Sequence, residues 1–375
     1  MALASFILRP YVRMAFRLLS WALYFITIVA AFGGYISPDI WGTPSAFTLA
    51  LPYFAIATLV VALVWLLCRR LVMAGLGAAV LFLCSTPILM AVPFGHERKP
   101  EGKGRIFTLM TYNVMHGDNP QGTDRSRSSS FDYILSSGAD IVVLQELEQF
   151  SSDEIEFFPE SMRDSLFAAY PYRISSLKDD LAVLSKFPVK ESEYQAANTA
   201  DMAHFVLYRF DIGGQTLHLA NCHLQSYYLT QQERKVVTGL RSVSAARESL
   251  HEMKGSILSK LKTSFRRRAE EATDLRSVLD KVPGAVIVCG DFNDVPASWA
   301  YRTIMGTDLS DAYCQTNFGP AYTFNQHLFL FHIDQILYRG PLRALSVTKG
   351  RLKASDHYPL TAKFQFEDTS GNATN

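Results

Sequence analysis

The chain has 375 residues, with 36 Lys and Arg set against 35 Asp and Glu, for a formal charge of +1. So even a balance excludes a whole-molecule field for gathering polyanions. The 5 cysteines include no CxxC pair, which excludes a thiolate zinc site or a disulfide-built scaffold. Hydrophobic residues make up 49% and crowd into the N-terminal quarter, so length and asymmetry together predict two units.

The first unit reads as a membrane anchor over 1–95. No charged residue occurs from Leu18 to Pro38, from Ile40 to Cys68 or from Leu71 to Gly95. Each run reaches the ~20 apolar residues that a bilayer-crossing helix needs. Three transmembrane helices are expected, near 15–36, 46–68 and 71–93, with Pro44 and Pro52 delaying or kinking the second. Trp21, Tyr24, Trp41 and Tyr53 stand near the run ends, where interfacial aromatics gather. A cleaved signal peptide with Arg9, Arg13 and Arg17 as its basic head fits less well, because the run is long and two more follow it. Those arginines and Arg69-Arg70 put the N-terminus in the cytoplasm by the positive-inside rule. Three crossings then leave the C-terminal domain extracytoplasmic, although the basic stretch from Arg98 to Arg105 runs against the trend. The spans hold no Asp, Glu, Lys or His, which favours a plain anchor over a transporter.

A charged, Gly-containing linker over 96–104 leads into a domain over 105–366, and 367–375 reads as a flexible tail. Short runs rich in β-branched and aromatic residues predict strands at Ile106–Tyr112, Ile141–Gln145, Leu181–Ser185, Phe205–Ile212, Thr216–Cys222 and Ala285–Cys289. Helical patterns fall at Ser129–Ser137 and Arg267–Leu279, and Gly213-Gly214 makes a hairpin turn. Hairpins mixed with interspersed helices predict an α/β (α+β) domain with mixed sheets.

Polar residues cluster where these strands end. Asn113 follows the first strand, Glu146 the second and His223 the fifth. Asp291 and Asn293 follow Ala285–Cys289, and Asp334 and the pair Asp356-His357 come later. A lone acid at a strand end is usually a turn former or a cap. Strand ends on one sheet edge converge in space, however, and that edge is where α/β sites form. Carboxylates and carboxamides without Cys suit a hard cation, Mg2+ first and Mn2+ as a possibility. A His beside an Asp can serve as an oriented base for water.

Together these segments resemble the endonuclease/exonuclease/phosphatase superfamily, which includes deoxyribonucleases, abasic-site endonucleases, neutral sphingomyelinases and inositol polyphosphate phosphatases. The matching segments are Thr111-Tyr112-Asn113-Val114, Leu144-Gln145-Glu146, Asn221-Cys222-His223-Leu224, Gly290-Asp291-Phe292-Asn293, Ile333-Asp334-Gln335-Ile336 and Ser355-Asp356-His357-Tyr358-Pro359, in the family's order. The resemblance implies a four-layer sandwich of two mixed β-sheets flanked by helices. It implies Glu146, Asn113 and Asp356 as metal ligands or their supports. His357 is implied as base or electrostatic partner, held by Asp334. Asp291 would orient or deprotonate the water, and Asn293 and His223 would donate to the phosphate. His332 and Gln335 depart from the family pattern and bear on substrate. His223, where the abasic-site enzymes carry Tyr, speaks against DNA repair.

A long insertion at 227–279 carries an amphipathic helical pattern through Val236, Leu240, Val243, Leu250, Ile257, Leu261 and Phe265. Its polar face holds Arg234, Lys235, Arg241, Arg247, Lys254, Lys260 and Lys262 and ends in Arg266-Arg267-Arg268. A solvated face explains this, and so does contact of 229–268 with anionic lipid headgroups or with a nucleic-acid phosphate backbone. No protein partner is identifiable. The function that emerges is a membrane-anchored, divalent-metal-dependent phosphodiesterase or phosphatase, with a lipid or other membrane-proximal substrate favoured. An extracytoplasmic nuclease acting on DNA or RNA is the alternative. An inactive receptor on the same fold is the alternative of another class, and it would be expected to have lost part of the constellation.

Overall fold

The computed structural model describes residues 10–115, 129–147, 160–176, 180–194, 204–227, 247–326 and 329–367. The N-terminal unit consists of helices α1 (Pro10–Phe32), α2 (Pro38–Trp41), α3 (Thr43–Thr48), α4 (Leu51–Leu67), α5 (Leu71–Leu83) and α6 (Ser85–Ala91). The expectation of three spans is corrected. Among the described residues, only Pro10–Tyr35, which is α1 with a following 3-10 turn, is long and apolar enough to cross a membrane unaided. Helix α4 opens at Leu51 with Pro52 in its first turn, which leaves 17 residues. Helix α5 breaks after Leu83 and the chain bends by 67° into α6, so that this pair counts at most as one broken span.

The helices pack with small and polar side chains inside. Trp65 Nε1 donates to Ser20 Oγ at 2.9 Å, and the hydroxyls of Thr27 and Thr58 share a hydrogen bond at 2.8 Å. Tyr24 donates to the Met73 carbonyl at 3.1 Å. The first two pairings run α1 and α4 antiparallel, which brings Arg13 and Arg17 to the level of Arg69 and Arg70. Leu19, Phe25, Leu67 and Phe82 point outward and are exposed.

The C-terminal unit contains β1 (Ile106–Asn113), α7 (Ser129–Ser137), β2 (Ile141–Gln145), α8 (Glu160–Ala169), β3 (Tyr172–Ser176), β4 (Leu181–Ser185), β5 (Val189–Glu191), β6 (Phe205–Ile212), β7 (Gln215–His223), α9 (Arg247–Leu279), β8 (Ala285–Asp291), α10 (Trp299–Met305), β9 (Ser310–Asp311), α11 (Ala312–Thr316), β10 (Phe324–Gln326), β11 (Phe329–Phe331), β12 (Asp334–Arg339), β13 (Leu342–Lys349) and β14 (Leu360–Phe366). Two six-stranded sheets have orders β13-β14-β1-β2-β4-β3 and β5-β6-β7-β8-β12-β9, and β10-β11 form a small ribbon. Each large sheet is mixed, with β1 parallel to β2 in one and β7 parallel to β8 in the other.

Alternation along the strands explains the layering. Phe107 and Leu109, Ile141 and Val143, Leu217 and Leu219, and Ile287 and Cys289 face the core between the sheets. The intervening Met110 and Tyr112 pack outward with Phe131 of α7 and Leu166 of α8. Ala220, Val286 and Val288 pack outward on Ala272 and Leu275 of α9 and Ile304 of α10. The result is a four-layer α/β sandwich. The segment 96–104, read as a linker, is tied down: the Arg98 amide donates to the Leu345 carbonyl at 2.7 Å and its guanidinium to Gln315 Oε1 at 3.0 Å.

The N-terminal unit docks beside the loop that leaves β8. The Arg302 guanidinium lies 3.4 Å from the Tyr35 ring centroid, and Cys314 Sγ donates to the Met90 carbonyl at 3.3 Å. Gly34 meets the Ala297 backbone so closely that a Cβ would stand 1.8 Å from its carbonyl oxygen. Of the basic insertion, 228–246 lies outside the described residues, as does the tail from 368. In the remainder, Arg268 is fully buried rather than solvated, and Arg266 Nε donates to the Pro38 carbonyl at 3.5 Å. This interior turn of α9 therefore packs between the two units, because the neighbouring Asp294 and Tyr227 supply a counter-charge and a ring face for Arg268.

Candidate active site

The site is the polar continuation of the inter-sheet core. The two-residue alternation that buries Leu109, Leu219 and Ile287 carries on to Asn113, His223 and Asp291 at the strand ends. Strand β12 runs the other way, so Asp334 at its start meets Asp291 in register. Gly290 lets β7 and β8 approach here; it has φ +132°, and a Cβ would fall 2.1 Å from the Cys222 carbonyl oxygen.

The polar contacts form one chain. His357 Nδ1 donates to Asp334 Oδ2 at 2.9 Å, and its Nε2 lies 3.5 Å from Asp291 Oδ2. Asn113 Nδ2 donates to Asp291 Oδ2 at 3.1 Å and to Glu146 Oε1 at 3.0 Å. His223 Nε2 lies 3.6 Å from Glu146 Oε1. Glu146 takes φ +53° and Asn293 φ +50°, left-handed conformations that side chains rarely adopt and that cluster at functional sites. The Asn293 amide donates through its backbone to Asp291 Oδ1 at 2.7 Å and through Nδ2 to the Leu224 carbonyl at 2.8 Å.

Asp334, Asp291 and His357 are all buried, and the charges set one another. Burial alone would push the His357 imidazole down. Asp334 and Asp291 overcome it and raise the pKa to about 10. Burial lifts the Asp291 carboxyl to about 6, against the pull of His357. Asp334 Oδ1 is buried with no partner among the described residues.

Of the residues singled out in the sequence, Asn113, Glu146, His223, Asp291, Asn293, Asp334 and His357 converge. Asp356 lies close enough to raise His357 as well; it is half-buried and accepts a 3.5 Å contact from Ser355, and among the described residues neither ligand cluster includes it. Two supports were not foreseen. Ser355 Oγ donates to the Asn113 carbonyl at 2.8 Å and accepts from the His357 amide at 3.1 Å. Thr323 Oγ1 accepts from the amides of Ile333 and Asp334 at 3.0 Å each. Ser355 lay within a recognised segment, but nothing in the local sequence marks Thr323.

Glu146, His223 and Asp291 offer ligand atoms within 4.8 Å of one another, as do Asp291, Asp334 and His357. In the first group two carboxylates gather around an amide that donates to both. The donor set is rich in oxygen and partly open to solvent, so the residues present fit a divalent cation.

Fold and site define an α/β phosphoester hydrolase. The chain belongs to the Endonuclease/Exonuclease/phosphatase family, whose model matches residues 110–357. Residues 13–90 match a second family, described as a domain of unknown function. No curated protein matches the chain. Solved structures similar to it include truncated Caenorhabditis elegans TDP2, at 20% identity and a TM-score of 0.44, covering 69% of this chain and 98% of that one. The human Nocturnin catalytic domain is 18% identical with a TM-score of 0.47, covering 70% and 94%. An endonuclease/exonuclease/phosphatase from Beutenbergia cavernae is 16% identical with a TM-score of 0.46, covering 70% and 72%.

Proposed function

We propose that the chain is a membrane-anchored, Mg2+-dependent phosphodiesterase whose domain works at an extracytoplasmic membrane face. The observation that carries this is the unbroken polar chain from Asp334 through His357, Asp291 and Asn113 to Glu146 and His223. Glu146, with Asn113 beside it, would hold the ion. Bound there, a divalent cation neutralises phosphate oxygens and the departing oxygen.

The side chains divide the remaining work. With a pKa near 6, Asp291 is ionised at neutral pH and suits the proton of the attacking water. With a pKa near 10, His357 is a cation there, so its Nε2 serves as a donor to a phosphate oxygen rather than as the base. Asp334 fixes that ring through Nδ1. His223 and the second hydrogen of Asn293 Nδ2 line the same edge as further donors. Water attacks phosphorus in line, Asp291 takes its proton, and the ester oxygen leaves.

Two features support the membrane assignment. The hydroxyls of Ser20, Thr27 and Thr58 are buried between the helices of the N-terminal unit while Leu19, Phe25, Leu67 and Phe82 are exposed, a distribution suited to lipid. The antiparallel pairing also gathers Arg13, Arg17, Arg69 and Arg70 at one end, while the other end carries the Tyr35–Arg302 contact. With that basic end cytoplasmic, the docked end and the catalytic domain lie on the outer side.

The test is hydrolysis of bis(p-nitrophenyl) phosphate by the full chain in detergent, with Mg2+, with chelator, and with His357→Ala. Mg2+-dependent turnover that falls by a factor of roughly a thousand or more in the variant is expected. Turnover indifferent to both chelator and variant would refute the mechanism.

A further inference from the structure

We infer that the recess between the N-terminal helices and the catalytic domain receives the hydrocarbon chain of a lipid phosphoester whose phosphate sits at the Asp291–His357 cluster. This rests on the phosphodiesterase reading and names its substrate class.

The recess spans about 630 Å³ with its open mouth included. One wall is the start of α4, with Pro52, Tyr53 and Ile56; the other is the catalytic domain, with Val295, Tyr322 and His332. Among the described residues, no Lys, Arg, Asp or Glu lines it. A nucleic-acid strand would need cations for its phosphates. A methylene chain needs only the apolar walls that are present.

The recess lies between the start of α4 and segments of the chain that carry the site. At its mouth, Tyr53 and Ile56 are exposed, and Leu59 and Leu63 continue that exposed apolar face along α4. At its inner end the walls belong to segments that carry the site. Val295 follows Asn293 and Asp294 in the chain, and His332 precedes Asp334. Thr323 welds these parts together, since its hydroxyl accepts from the Ile333 and Asp334 amides and its carbonyl accepts from the Tyr358 amide at 2.7 Å. A chain seated in the recess would therefore hold its head group against a wall that is rigid with Asp334 and next to His357.

A second observation points to a ligand. His332 is only 7% exposed and lines the recess, with its ring edge-on to Tyr313 at 5.0 Å. Its Nε2 is buried and has no hydrogen-bond partner among the described residues. An unpaired polar atom in an apolar wall is costly unless something meets it. The ester or hydroxyl oxygen at the root of a lipid chain is the group that such a position suits.

The test uses the full chain in lipid nanodiscs and a series of p-nitrophenyl alkyl phosphates with methyl, butyl and octyl groups. From methyl to octyl, kcat/KM is expected to rise about 100-fold, equivalent to about 2.7 kcal/mol, a gain that burying a few methylenes supplies. Ile56→Trp and Val295→Trp, which fill the recess, should each cut the octyl-to-methyl ratio at least about tenfold, and the ratio cancels any general loss of active protein. Turnover of the methyl ester with no dependence on chain length would overturn this inference and leave the hydrolase standing. Cleavage of an oligonucleotide, with the octyl ester no better than the methyl, would also overturn it. If no ester is hydrolysed, the hydrolase reading itself fails. The recess is then judged by photolabelling with vesicle-borne hexadecyl phosphate carrying a terminal diazirine. Label on peptides 48–56 or 320–332 upholds it, and label confined to the outer faces of α1 and α5 overturns it.

Discussion

Asp334→Asn tests how the two buried carboxylates govern His357. The imidazole pKa rises from 6.5 to about 10 although burial by itself would lower it. At 1.36 kcal/mol per unit, the carboxylates therefore favour the cation by about 5 kcal/mol beyond the burial penalty. Asp334 is the nearer partner, at 2.9 Å against 3.5 Å for Asp291. The amide keeps the shape but removes that charge and permits the wrong tautomer, so His357 should lose its proton near neutrality. A fall in kcat of roughly 10³–10⁴-fold with little change in KM is expected, the scale for an orienting Asp beside a catalytic His. Rates from pH 6 to 9 give the second readout. In the parent chain His357 stays protonated over that range, so its titration contributes no decline. In the variant, activity should fall as pH rises through the lowered pKa. The sign carries over to stability: a raised histidine pKa contributes stability that is full below 6.5 and lost as pH rises through about 10. The variant should therefore also melt earlier at pH 7, and rates are compared below its melting temperature. A kcat within tenfold of the parent, with an unchanged pH profile, would refute the argument.

Other perturbations probe the supports. Arg268→Met strands Asp294, whose carboxyl burial already pushes up against the pull of Arg268 3.3 Å away; urea titration should show a loss of about 3–5 kcal/mol, partly restored by adding Asp294→Asn. Glu271, raised by burial to about 7, contributes stability that is full below 4.5 and lost as pH rises through 7. The melting temperature of Glu271→Gln should be less pH-dependent across that window, and an identical slope would count against it. Gly34→Val drives a side chain into the Ala297 carbonyl and should loosen the two units, seen as faster proteolysis between 92 and 105, at a cost of about 1–3 kcal/mol.

What could be read in the chain follows from the range of the forces involved. Strands β2, β4 and β6 were legible to the residue because buried strands print unbroken β-branched and aromatic runs, and the acids that end such runs mark a sheet edge. Strand β13 was not, since Leu342–Lys349 alternates apolar with Arg, Ser and Lys and carries a bulge between Ala344 and Ser346, so it looks like surface. Pro52 marked the late start of the second helix, but an uncharged run does not reveal how much that shortens it or where the chain turns after Leu83. Arg268 is the sharpest case. Within Arg266-Arg267-Arg268 it looks like one charge among three on a wet face. Its environment is set by Asp294, 26 residues away, and by Tyr227 beneath its guanidinium. Asp294 stands next to Asn293 on the catalytic edge, and Arg266 of the same triplet reaches the Pro38 carbonyl of the N-terminal unit. One turn of α9 thus touches both the site and the helices that dock against it. A change in how those helices sit has a direct mechanical route to Asn293, through groups that pattern alone assigns to solvent.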